Sequence, residues 1–166
     1  MAAATSITRA GAVKAPFHAL SPYARHFILL LNALGYHINT ERFLDCTDLS
    51  DAAYADRLET AETARGDFYD ILLDNLKMPA VAASDAPLRR MTLLIATLIR
   101  QDRATAFARY AELRQDLVPF LQVPGDGPIA ARLREMLAAA DKRITLMARL
   151  SCYRQDGDLE LLCEAA

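Results

Sequence analysis

Nine consecutive residues, Met91 to Ile99 (MTLLIATLI), carry no charge, no glycine and no proline. A helix built from such a run is apolar almost all the way round, so it needs neighbours on most of its sides. The run is far shorter than the ~20 residues a membrane-spanning helix requires. It therefore predicts a central core helix over residues 86–101, with other helices packed about it.

The remaining sequence favours the same class. Six Gly and seven Pro fall in a few clusters and leave long segments rich in Ala, Leu and Arg, which are good helix formers. Val and Ile are sparse, and period-two alternation is nearly absent. The expectation is an all-α, compact bundle of about five to seven helices. A chain of 166 residues suits one domain, and 53% hydrophobic against 24% charged residues argues against disorder. Residues 1–20 are expected to form a flexible arm, and residues 21–166 a single helical domain.

Local signals place the elements. Ser21-Pro22 is a helix start, with Ser as the cap and Pro at the first helical position. Tyr23, Phe27, Leu30, Leu31 and Leu34 then keep helical spacing, and Gly35 stands where a left-handed residue would close the helix. A turn is expected over Tyr36–Asn39, then a short helix capped by Thr40. Leu49, Ala53, Leu58, Ala61, Phe68, Ile71, Leu72 and Leu76 trace a further apolar stripe. Gly66 would divide or bend that segment, and Pro79 ends it. A helix after Gln101 is expected to stop at Pro119, and a last one to run from Pro128 to Ser151. The tail from Cys152 fits either a hairpin at Asp156-Gly157 or a short helix.

Charge is segregated along the chain. Residues 1–40 hold three basic groups and no acid, and residues 41–80 hold four basic and ten acidic groups. Residues 81–154 hold twelve basic and seven acidic groups, and residues 155–166 hold four acids and no base. Acidic helices lying beside basic ones would cancel this pattern inside the fold; otherwise one face stays free for a charged partner. Asp67, Asp70 and Asp74 share one side of a helix, and Arg132, Arg143 and Arg149 project from the last helix away from its apolar stripe. Nucleic acid is disfavoured as the partner, because the isoelectric point is near 5.9 and no recognition helix is visible.

Sequences with a catalytic or cofactor signature look different. GxGxxG, a phosphate loop ending in GK(S/T), HExxH and GxSxG are all missing. His18, His26 and His37 are spaced so that no two share adjacent turns of a helix. His37 could align with Glu41 and Asp45 only in a helix that begins before Tyr36, which Gly35 argues against. Cys46, Cys152 and Cys163 match neither a disulfide framework nor a zinc site. Cys152, beside Tyr153 and Arg154, could have a lowered pKa, but an ordinary thiol near a helix end is the favoured reading. No cofactor and no metal are expected.

What remains is surplus hydrophobicity. Phe17, Phe27, Tyr36, Phe43, Phe68, Tyr69, Phe107, Tyr110 and Phe120 are spread over several elements, while Tyr69, Leu73 and Met78 lie off the main stripe. The expectation is a helical protein–protein interaction module, an adaptor, chaperone or regulatory subunit that self-associates as a dimer. The alternative is a sensor bundle enclosing a small apolar ligand, lined by Met91, Met136, Met147 and aromatic side chains. The Arg-rich, Lys-poor composition and the lack of an apolar leader point to a bacterial, cytoplasmic chain.

Overall fold

In the computed structural model, which describes residues 20–100 and 103–154, five α-helices carry the chain, and no strand occurs among the described residues. The expected arm over residues 1–20 and the alternatives for the tail beyond 154 lie outside the described residues, residue 20 excepted.

Helix α1 spans Pro22–Asp45. It starts as the sequence predicts: Ser21 Oγ accepts the Ala24 N–H at 2.9 Å, and Pro22 opens the first turn. The Ser21 hydroxyl also donates to Asp85 Oδ1 at 2.6 Å, tying this helix end to the turn before α3. The expected stop at Gly35 is wrong. The helix runs through Gly35, and the turn at Tyr36–Asn39 does not exist. Gly125 is the one glycine with positive φ among the described residues, so Gly35 is not acting as a left-handed cap. Its role is clearance, because a Cβ at this position would lie 3.1 Å from Arg143 Nε. Thr40, expected to cap a new helix, instead donates back to the His37 carbonyl at 2.9 Å within α1.

After α1 the chain turns on two aspartates that accept backbone N–H groups two residues on, Asp48 from Ser50 and Asp51 from Ala53. Helix α2 spans Tyr54–Lys77 as one continuous helix through Gly66, an exposed position where a Cβ would meet nothing within 4 Å. A 3-10 turn at Ala83–Asp85 leads into α3, Ala86–Arg100. Helix α4 spans Arg103–Leu117. It stops just before Pro119, as expected, and Pro119 sits in a following 3-10 turn, Val118–Leu121, whose first turn tolerates its missing N–H. Arg134 then holds the following loop by donating to the Gly125 carbonyl at 2.7 Å. Helix α5, Pro128–Met147, ends short of the expected Ser151, and a last 3-10 turn occupies Ser151–Tyr153.

Helix α3 packs against all four other helices, as the uncharged run predicts. It is not enclosed on every side, however, since Leu93 is 50% exposed and Thr97 is exposed too. Helix α1 lies between α2 and α5 and above α3. Phe27, Leu30, Leu34, Phe68, Met91, Ile95, Leu133 and Ile144 fill the space between these helices and are fully buried. Each such side chain contributes about 1.5–3 kcal/mol by leaving water.

Candidate docking surface

With α1 unbroken, its outward face becomes one continuous strip. Leu29, Tyr36 and Phe43 recur every seventh residue and are 50%, 53% and 68% exposed. At 100° per residue they stack within about 40° of one another over about 21 Å. Asn32 and Asn39 lie beside them, both exposed, and no Asp, Glu, Lys or Arg occurs from His26 to Thr40. Large exposed apolar side chains on an uncharged strip are the mark of a recognition surface. The signal was legible in the sequence as a heptad repeat, but the expected break at Gly35 assigned Phe43 to a different helix.

The two flanks of this strip are charged with opposite sign. On the α5 side, Arg143 lies across Gly35 in a groove of about 390 Å³ that Asn39, Lys142 and Leu146 also line. Burial pushes the Arg143 guanidinium below its ordinary pKa, and no carboxylate among the described residues pairs with it. A second groove of about 230 Å³ continues past Leu146 between Arg42 and Arg149, with Asp45 the acid on its wall. On the α2 side stand Asp67 and Asp74, with Asp70 turned further outward, all exposed; Asp74 is 3.5 Å from Lys77, while Asp67 and Asp70 have no cationic partner among the described residues.

The other residues singled out from sequence are placed as follows. Tyr69 and Leu73 come together, but toward α3, around a groove of about 320 Å³ completed by Ala96, Ile99 and Arg100. Met78 does not join them, because it is half-buried beyond the end of α2 and half a helical turn away from Tyr69. Arg143 and Arg149 share the α1–α5 seam through Leu146, whereas Arg132 is exposed and engaged with Glu135 at 2.8 Å.

Behind the strip, a polar cluster locks the end of the described chain to α1 and α2. His37 and Glu41 do align, contrary to expectation, because the helix that carries them begins at Pro22. His37 Nε2 is hydrogen-bonded to the Tyr153 hydroxyl at 2.9 Å, its Nδ1 lies 3.6 Å from Glu41 Oε1, and its ring stacks on Phe68. Arg65 donates twice to Glu41 Oε1, at 2.6 and 3.1 Å. His37, Glu41 and Tyr153 are buried and Arg65 is partly exposed, so the network joins α1 and α2 to the last 3-10 turn. Cys152 is not an activated thiol: burial, with the Glu41 carboxylate beside it, pushes it up to about 12.

A cavity of about 540 Å³ opens between α3, α4 and α5. Met91, Leu117, Leu121 and Leu137 form an apolar wall, and Tyr110 donates to Asp141 at 2.5 Å. Arg114 forks onto the same carboxylate, with its Nε at 2.8 Å. Burial and Asp141 raise the Tyr110 pKa. Met136 and Met147, expected to line a ligand site, are core side chains instead.

Among the described residues, no three His, Cys, Asp or Glu side chains gather so as to hold a metal ion, and no helix is long and apolar enough to cross a membrane. No protein-family model matches the chain, and comparison with curated proteins and with solved structures finds no match either.

Proposed function

We propose that this protein is a helical interaction module that docks another polypeptide on the outer face of α1. The observation that carries the reading is the exposed row Leu29, Tyr36 and Phe43 on a strip free of charge. Removing such side chains from water drives association, and aromatic residues at the centre of a contact contribute most to it. The charged flanks set orientation and choice of partner more than raw affinity. An adaptor or regulatory subunit of a bacterial cytoplasm is the role that fits this division of labour.

In-cell photocrosslinking tests it. A photoreactive residue at position 36 or 43 should give discrete covalent adducts, while the same group at the exposed position 112 on α4 should give none above background. Equal background at all three positions contradicts the proposal.

The cavity at α3, α4 and α5 favours a second reading, a small-molecule site. Its volume is within the range of ligand pockets, its wall is apolar, and two guanidiniums, Arg114 and Arg134, outnumber its one carboxylate. An amphipathic carboxylic acid is the class that matches. A thermal-shift series with aryl and alkyl carboxylates should raise the melting temperature if the site is real, because a ligand bound only by the folded form stabilises it. A flat response across the series removes this reading.

A further inference from the structure

The geometry points to a second copy of this chain as the occupant of the α1 face, paired parallel and in register about a two-fold axis that runs along α1. This rests on the docking function proposed above and specifies its partner.

Helices α2, α1 and α5 form a face about three helices wide and about 30 Å long. At ~10 Å between helices that is roughly 900 Å², close to the ~800 Å² that a stable partner buries on each side. A two-fold axis can lie in this face in two ways. An axis across α1 would make the pair antiparallel and set each acidic α2 flank against its own copy. An axis along α1 makes the pair parallel and sets α2 of one copy over α5 of the other.

Charge separates the two. Tyr69 faces α3, and Asp67 lies about 160° around the helix from it, on the flank that borders the outer strip of α1. Phe68 stacks on His37, so Asp67 stands at the level of Tyr36 and His37. Arg143 lies across Gly35, at the same level on the opposite flank. The parallel pair therefore brings Asp67, which lacks a cationic partner among the described residues, over the partly buried Arg143, which lacks an acid. It does so twice by symmetry.

The strip itself fits a parallel seam. Leu29, Tyr36 and Phe43 take one heptad position and Asn32, Asn39 and Cys46 the other. Each then meets its own counterpart, as in parallel coiled coils, where paired Asn side chains fix register and oligomer state at some cost in stability. Arg25 is the charge that meets its like, and it sits at the N-terminal end of the row beyond the apolar side chains.

Cys46 is exposed on this row and reports the orientation directly. In the parallel pair it faces the Cys46 of the other copy. In an antiparallel pair centred on Tyr36 it would face the region of His26, and no disulfide could form. Mild oxidation of the full chain carrying Cys163→Ser should convert most of it into a covalent dimer, lost in Cys46→Ser and reduced at least about tenfold in Tyr36→Glu. Asp67→Arg and Arg143→Asp should each weaken pairing about tenfold, and the two together should restore it to within about threefold. Self-association without Cys46 linkage overturns the parallel arrangement and leaves the docking function standing. Photocrosslinks at position 36 to a different protein, with this chain monomeric, overturn the second copy as occupant and also leave that function standing. No adduct at position 36 removes both.

Discussion

Gly35 shows how one residue type can carry two opposite readings. Glycine in a helix interior costs about 1 kcal/mol relative to alanine, which is why it reads as a terminator. Here the space it leaves is occupied by the Arg143 guanidinium. Gly35→Ala should therefore raise monomer stability by about 0.5–1 kcal/mol in urea unfolding, since Arg143 is a flexible side chain that can withdraw. The same substitution should weaken docking by moving that guanidinium. A variant that pairs as well as the parent would contradict the role given to Arg143.

Cys152 and the buried tyrosines make a second prediction at this scale. Burial raises Cys152 to about 12 and raises Tyr23 and Tyr110 above the ordinary phenol value. The folded state thus holds these protons more tightly than the unfolded chain, which releases them near 9.0 for the thiol and 10.0 for the phenols. The stability they contribute is fully present below about pH 9 and is lost as pH rises toward 12. The melting temperature should fall steadily above pH 9. At pH 8 a thiol reagent should modify exposed Cys46 well before Cys152, because the thiolate is the reacting species. Equal labelling rates would show that Cys152 is not held as described.

At the level of elements, the periodic apolar residues located α3 and α5 closely and α2 from Leu58 onward, whereas Leu49 and Ala53 precede α2 and Leu49 is exposed; the Ser21 cap and Pro128 at a first helical position marked two helix starts. What the sequence hid was continuity. Gly35 reads as a stop, yet it lies inside α1, where the Arg143 side chain occupies the space it leaves. That error concealed the exposed row of Leu29, Tyr36 and Phe43, and it also concealed the alignment of His37 with Glu41. The His37, Glu41, Arg65 and Tyr153 network joins α1, α2 and the last 3-10 turn across more than a hundred residues of chain, so no local pattern announces it. Arg65→Ala would leave the Glu41 carboxylate buried without its cation and should cost about 2 kcal/mol, below the full value for a buried pair because Arg65 is itself partly exposed. Tyr153→Phe should cost about 1 kcal/mol by removing the partner of His37. Denaturant unfolding monitored by circular dichroism checks both, and a neutral Arg65→Ala would mean that the network is incidental.

For the whole molecule, the acidic and basic blocks of the sequence resolve only partly into internal pairs. Arg65 with Glu41 and Arg114 with Asp141 bridge helices, but Asp67 and Arg143 remain uncompensated among the described residues, on two flanks of one face. An apolar strip between unlike charges gives that face both a driving force and a direction. Pairing should accordingly weaken with salt without vanishing, because screening removes the flanking attraction and leaves the burial of Leu29, Tyr36 and Phe43.

Sedimentation equilibrium of the full chain from about 1 to about 100 μM, a range that brackets micromolar affinities, tests this most directly. The parent chain should pass from monomer to dimer within it, and Tyr36→Glu, with an unchanged circular-dichroism spectrum, should stay monomeric throughout. A parent chain that is monomeric at every concentration, or a Tyr36→Glu variant that dimerises as well as the parent, would contradict self-association through the α1 face.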